Sequence, residues 1–420
     1  MRLSFALATA GALIVGSTLS AADWPQWRGP GRNEISTESG IQTSFATPPK
    51  LLWTTENLGN AYSGPAVVGN TLYTLGATET SEFAVAMDTS TGKDRWRTTL
   101  GPTFKNPPWG DGPRSTPTVD GDRLYVIRGG GGLHCLDAKS GKIVWSKDFR
   151  KDFQGQLMSG WGYSESPLID GNLLICSPGG GAGTIVALDK ASGKLVWRSK
   201  DVRDAAAYSS VIVADVDGVR QYIQLTGKGV VGVRAKDGAK LWYYEREGHR
   251  TAVIPTAIYH AGHVYVTAGY GCGCDLIKLT KEGNTFKADQ VYANKNMVNH
   301  HGGVVLLDGF VYGFSDGKGW VCQDFMSGKT NWEEKGRGRP GKGSVTCVAG
   351  HLFCYDEGTG NLYVTEANPK AWKDKGMLSL PKKTDIRSKN GRIWTHPVIA
   401  NGKLYLRDQD LLFCFDMSAQ

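Results

Sequence analysis

Apolar and polar positions along this chain fall into a unit that recurs eight times. Each unit is a short apolar run, a turn containing glycine, and a second apolar run ending in an aromatic residue or Leu/Ile. The turn glycines are Gly69, Gly121, Gly171, Gly218, Gly262, Gly309, Gly350 and Gly402, spaced 41 to 52 residues apart. Short apolar runs on either side of such a turn predict paired strands in a hairpin. Short strands repeated every 40–50 residues or so predict a β-propeller, one sheet per repeat.

A second pattern follows each hairpin. Residues 86–96 read A-M-D-T-S-T-G-K-D-R-W, and 135–145 read C-L-D-A-K-S-G-K-I-V-W. Residues 187–197 and 322–332 repeat it, and 232–242 is a looser copy with Gly238 and Trp242 in place. Around Gly283 and Trp372 it is degenerate. The Asp can accept backbone N–H groups inside the turn, and glycine supplies a positive φ. The Trp is large and flat enough to fill the space between neighbouring sheets. Each repeat therefore holds four strands, and the fold class is all-β: an eight-bladed β-propeller of four-stranded antiparallel blades. The eighth repeat lacks a fourth strand, since the chain ends soon after the third at 411–416. Lys50-Leu51-Leu52-Trp53 repeats Lys194-Leu195-Val196-Trp197, so the ring should be closed by this N-terminal strand.

The N-terminus changes the expected location. Arg2, the apolar stretch 3–19 and Ser20-Ala21-Ala22 form a secretory signal with Asp23 as the mature start. The organisation predicted is a signal peptide at 1–22, an extension at 23–49 and the propeller at 50–420. No Cys stands at the cleavage site, which argues against a lipid anchor, and no later segment is apolar enough to span a bilayer. The mature chain should be soluble and periplasmic or secreted. Its formal charge of +8 is scattered, apart from a cluster at Lys382, Lys383, Arg387, Lys389 and Arg392. No stripe of aromatic residues interleaved with arginine is present, so nucleic acid is excluded as a partner. Of the eight cysteines, Cys135, Cys322 and Cys414 occupy the small-residue position that Ala86 and Ala187 fill in other repeats. Cys272 and Cys274 flank a glycine, and a disulfide, a metal site or two free thiols remain open for them.

The repeated A-x-D-x-x-[ST]-G-x-x-x-W turn resembles the tryptophan-docking motif of the PQQ-like (quinoprotein-type) propeller repeat family, over residues 50–417. That family includes quinoprotein alcohol dehydrogenases and the non-catalytic Bam lipoprotein B of outer-membrane assembly. The opening Asp23-Trp24-Pro25-Gln26-Trp27-Arg28-Gly29-Pro30 is similar to that of exported PQQ-like proteins of planctomycete-type bacteria. The resemblance implies an exported propeller. Its dehydrogenase branch implies PQQ as cofactor, with calcium held by a Glu in a Gly-rich loop and with adjacent cysteines against the quinone. The matching loop at 177–183 carries no acid, and Cys272-Gly273-Cys274 is not vicinal.

In a propeller, the connections from one blade's outer strand to the next blade's inner strand lie on one face. Residues just before each hairpin should therefore ring one mouth: Tyr62 and Ser63, Arg114 and Ser115, Tyr163, Ser164 and Glu165, Tyr208 and Ser209, His249 and Arg250, His300 and His301, Lys342 and Ser344, Trp394 and His396. Long connections at 102–113 with Trp109 and Asp111, 147–162 with Trp161, and 381–393 should cover the same face. Convergent cations and ring faces suit a planar or anionic ligand. Candidate binding residues are Arg114, Ser115, Trp161, Tyr163, Tyr208, His300, Lys342 and Trp394. Glu165 and Asp111 are the candidate catalytic bases. No metal site is expected, because His300 and His301, taken as neighbours on a strand, should point to opposite faces.

Three functions follow. The leading one is a non-catalytic module that binds a protein partner or a small polar or anionic ligand at the mouth. The second is a PQQ-dependent alcohol or sugar dehydrogenase. The third is a polysaccharide-binding module with Trp109, Trp161 and Trp394 as stacking platforms.

Overall fold

All eight turn glycines take positive φ, from 55° at Gly69 to 83° at Gly309. Five follow a residue that is itself left-handed, such as Asp308 (49°) before Gly309. Two successive positive φ values are the primed-turn geometry that matches the twist of a two-residue hairpin. The computed structural model describes residues 22–106, 108–246, 250–336 and 338–419. These residues form eight antiparallel sheets and one short helix, Phe149–Phe153.

Blade 1 is Ala66–Val68, Thr71–Ala77, Ser81–Asp88 and Asp94–Pro102. Blades 2 to 7 repeat this order, starting at Thr118–Asp120, Leu168–Asp170, Ile212–Val216, Ile258–His260, Val304–Leu307 and Gly343–Val348. The eighth sheet joins Val398–Ala400, Lys403–Asp408 and Leu411–Asp416 to Leu51–Thr55 from the other end of the chain. Trp53 stands opposite Cys414 in that pairing.

The recurring tryptophans lock blades together in one direction. The indole N–H groups of Trp53, Trp96, Trp145 and Trp197 donate to Thr89, Ala138, Lys190 and Ala235, each a backbone carbonyl of the following blade, all at 3.0 Å. Each ring lies on the glycine of that blade's turn, so a Cβ on Gly92, Gly141, Gly193 or Gly238 would sit 2.4–2.8 Å from it. The turn Asp works as its sequence suggests: Asp137 and Asp189 accept from Ser140 and Ser192 at 2.8 Å. The degenerate blade 5 has no such turn, and Trp242 bonds Gln221 within its own blade instead. Cys135, Cys322 and Cys414 are buried in the stack between blades, and all eight cysteines are free.

The N-terminal segment is the main addition to the sequence reading. It does not run past the propeller but across its channel. Trp24 exchanges two 2.8 Å backbone hydrogen bonds with Val67 of blade 1, and Val119 of blade 2 donates to Pro25. Arg32 donates to the carbonyls of Ser166 and Pro167, leading into blade 3. Arg28 reaches the carbonyls of Thr256, before blade 5, and Val304, in blade 6. Ile35–Ser36 pairs in parallel with Cys347 and Val348 of blade 7, and the Ser36 hydroxyl bonds Ile399 of blade 8. This strap covers inner-strand edges that would otherwise face solvent. Arg28, Arg32 and Glu34 are left-handed. Such residues cost about 1–2 kcal/mol each in backbone strain and persist only where surrounding contacts over-determine them. Here Glu34 N–H donates to Arg28 O (2.9 Å), and the Glu34 carboxylate meets Arg28 Nε at 3.3 Å and His396 Nδ1 at 3.2 Å.

Among the described residues no helix is long and apolar enough to cross a membrane. The stretch read as a signal lies almost wholly outside the described residues.

Candidate functional site

The strap makes a floor, and above it the inter-blade connections enclose a cavity of about 130 Å³. Trp27 of the strap lines it and lies edge-on to His396, centroids 4.6 Å apart. The wall is a run of touching rings. Tyr270 meets His300 (4.6 Å), His300 meets His301 (3.6 Å), His301 stacks on Trp394 (4.7 Å, 21°), and Trp394 meets Tyr62 (4.8 Å). The Tyr62 hydroxyl donates to the carbonyl of Trp109, whose ring meets Trp161 at 5.5 Å, and Trp161 stacks on Tyr208 at 6.3 Å. This horseshoe takes side chains from six inter-blade connections and from the turn that carries Tyr270. The Tyr208 hydroxyl is fixed by Ser159, and Ser159 by the carbonyl of Thr251.

Five of the eight candidate binding residues meet here: Arg114, Trp161, Tyr208, His300 and Trp394 all line the cavity. Three do not. Ser115 is buried beside the inner strands, where its carbonyl accepts from the Ser63 hydroxyl (2.6 Å). Tyr163 turns away between blades, packing edge-on to Phe149 and donating to Pro178 O. Lys342 stands behind the wall, 2.7 Å from Asp316 and 2.9 Å from His300 Nδ1. Of the other ring residues, His249 lies outside the described residues, while Tyr62, Ser164, His301 and His396 join the lining.

Neither catalytic candidate reaches the cavity. Glu165 is buried under the 177–183 loop and accepts from the Ser177 N–H. Burial pushes its carboxyl up to about 8, against the opposing pull of that hydrogen bond and of Arg32. Asp111 holds its own loop, accepting from Asn106 N–H (2.8 Å) and pairing with Lys105 (3.0 Å).

The expected convergence of cations is also corrected. Arg114 donates to the carbonyls of Gly110 (2.7 Å) and Gly112 (2.6 Å) and lies over the Tyr62 and Phe104 rings. Its fork therefore shapes the 106–113 loop. Lys342 is paired, Lys382 reaches Glu56, and Arg387 meets Asp408. Among the described residues no Asp, Glu or Lys lines the cavity. The two histidines are not on a strand, because the strand of blade 6 begins only at Val304. Their rings consequently share one side, against the alternation expected. Burial, with His300, Lys342 and His396 nearby, pushes the His301 imidazole well below its usual range. Behind it, burial raises Glu357 to about 7.

These residues do not fit a calcium–quinone group. Calcium needs several oxygen ligands, preferably carboxylates. Among the described residues no three His, Cys, Asp or Glu side chains are placed to hold a metal ion. Cys274 is buried against Asn294 and Gln323, apart from Cys272.

Sequence comparison settles the lineage. The family model described as outer membrane protein assembly factor BamB matches residues 85–334, more than half of the chain. The chain belongs to this PQQ-like propeller family. A BamB of Xanthomonas campestris pv. campestris is 33% identical over 95 residues, a segment covering 21% of either chain. The match to that curated relative thus spans about a fifth of its length. Among solved structures, BamB from Moraxella catarrhalis aligns over 88% of this chain and 100% of its own, with TM-score 0.59 and 15% identity. A quinohemoprotein alcohol dehydrogenase from Comamonas testosteroni aligns over 95% and 81%, with TM-score 0.62 and 12% identity. At these identities the structural likeness is one of fold, and BamB-like and dehydrogenase-like propellers share it. Function in this family is a property of the site.

Sequence reasoning missed the strap and the pairing of the cations. The Trp27 and Arg28 of the 23–30 motif were the available signal, since an exposed linker has little use for two such residues close together.

Proposed function

We propose that the chain acts after export, in the periplasm or outside the cell, as a non-catalytic binding propeller. Its ligand, or a segment of a protein partner, sits in the mouth cavity over the strap. The observation that carries this reading is the horseshoe of touching rings from Tyr270 to Tyr208, open on one side and, among the described residues, without a carboxylate in its lining. A concave, mostly apolar surface with a few neutral polar groups is what recognition needs. A carboxylate acting as base needs to lie within hydrogen-bond reach of a substrate, and the two expected ones, Glu165 and Asp111, are bonded elsewhere. Membership of the BamB family supports the scaffold reading over the dehydrogenase one.

The test mixes the purified mature chain with PQQ and calcium and follows visible absorbance and dye-linked oxidation of a panel of alcohols and sugars. No stoichiometric quinone uptake and no turnover are expected. Turnover that rises with bound PQQ would establish the dehydrogenase instead.

A further inference from the structure

Resting on the binding reading above, we propose that the mouth cavity takes a neutral saccharide. Three properties of the lining select this ligand class.

The first is the density of ring faces. Trp27, Trp109, Trp161 and Trp394 all line one small space, with Tyr62 and Tyr208 between them. Flat rings offer broad apolar area at low entropic cost, and they match any ligand with a flat apolar face.

The second is charge. Among the described residues Arg114 is the one permanently charged side chain of the lining, and two loop carbonyls already hold its fork. An anionic ligand would find no uncommitted arginine or lysine there to pair with. A cationic ligand would meet ring faces but no carboxylate, and it would lie near Arg114. A buried charge without a partner is costly. The lining therefore discriminates against ions of either sign.

The third is the set of neutral polar edges. Asn106, Ser164 and Ser210 line the cavity beside the rings. The Asn106 Nδ2 group is buried and has no partner among the described residues. A purely apolar occupant, such as an aromatic side chain, leaves that amide as unpaired as it already is, whereas an acceptor brought beside it could recover part of a shortfall of about 1–3 kcal/mol. A pyranose ring has C–H faces for the indoles and a rim of hydroxyls that both donate and accept. It satisfies faces and edges together, which a hydrocarbon or an ion does not.

Calorimetry on the mature chain tests this. The probes are cellotetraose, xylotetraose, mannotetraose and N-acetylated chitotetraose, with trigalacturonate, choline and N-acetyltryptophanamide as the anionic, cationic and aromatic alternatives. At least one neutral oligosaccharide should bind saturably, and the affinity should survive added salt because no ion pair is involved. Trp161→Ala should weaken it about tenfold or more, a loss of ~1.4 kcal/mol, while Trp161→Phe retains most of it. Trp161 sits half-exposed in a connection, so the variant should melt close to the parent, and Trp109→Ala provides a second reading. If an ion or the tryptophan amide binds, is weakened by Trp161→Ala, and no neutral saccharide does so, the saccharide proposal fails and the binding reading stands. If no probe binds in a way that Trp161→Ala or Trp109→Ala weakens, the saccharide proposal fails and the binding reading is confined to a protein partner, while turnover with PQQ would overturn that reading itself.

Discussion

The Trp53 indole lies on Gly92, so close that a methyl group on that glycine would sit 2.5 Å from its Cε3. The two residues are 39 apart in sequence yet belong to blades 8 and 1, so their contact bridges the point where the ring of blades closes. Within Leu51–Thr55, Trp53 is the one buried residue, while Leu51 and Leu52 are exposed. Attachment of this strand therefore depends on its ladder to Leu411–Asp416 and on one indole.

Trp53→Ala should destabilise the protein by about 3–5 kcal/mol, the usual range for removing a buried Trp. It also removes the indole N–H from the Thr89 carbonyl, which is then left with Lys403 Nζ as its donor. Guanidinium unfolding gives the magnitude, and amide exchange gives the location. Protection should fall first at 51–55. Unchanged protection there would mean that the ladder alone closes the ring.

The same docking separates two costs of replacing a turn glycine. A methyl group added at Gly121 (φ 58°) would find nothing within 4 Å, whereas at Gly141 (φ 74°) it would meet Trp96 at 2.5 Å. Gly121→Ala should cost about 1–2 kcal/mol, the backbone term alone. Gly141→Ala adds overpacking, typically another ~1–3 kcal/mol. Equal melting shifts for the two variants would show that the indole moves aside freely.

The blades were legible in the sequence because each turn needs a glycine at positive φ, an Asp to bind its N–H groups and a Trp to meet the next blade. Those demands leave residue-type signatures at fixed spacing. The rings of the mouth were legible for a topological reason, since every outer-to-inner connection lies on one face. The state of the charges was not. Whether Lys342 faces the cavity depends on Asp316 in another blade, and Arg114 is held by carbonyls whose positions follow from the path of the 106–113 loop. The strap was hidden for a different reason. Residues 28–34 have no period, and three of their non-glycine residues are left-handed, a conformation that local propensity argues against.

That strap rests on a buried pair. Arg28→Ala would leave the Glu34 carboxylate facing His396 without its guanidinium, and breaking such a pair from one side typically costs about 3–5 kcal/mol. Arg28→Met with Glu34→Gln should recover much of this, because neither remaining group is then an uncompensated charge. Thermal melts compare the two. A single variant as stable as the parent would show that His396 alone neutralises Glu34. Since Trp27 adjoins Arg28 and floors the cavity, the single variant should also lose affinity for any ligand found at the mouth.

Glu165 gives the chain a pH dependence whose sign can be worked out. Its carboxyl is raised to about 8 by burial, whereas an unfolded Glu titrates near ~4.3. Between those values the folded chain holds a proton that the unfolded chain has released. Stability from this group is therefore complete below the unfolded value and declines as pH rises towards 8, by up to ~1.4 kcal/mol per pH unit. Glu165→Gln keeps an oxygen to accept from Ser177 and removes the titration. The variant should gain on the parent by about 3–4 kcal/mol between roughly pH 5 and pH 8. Urea midpoints of both proteins at the two pH values measure this, and other titrating groups, His301 included, cancel in the difference. A gap that stays constant with pH would mean that Glu165 is already ionised at the lower pH, with Arg32 compensating its burial in full. In that case the carboxylate would be a permanent partner of the strap, and Arg32→Met would destabilise the protein more at the higher pH than at one low enough to protonate Glu165.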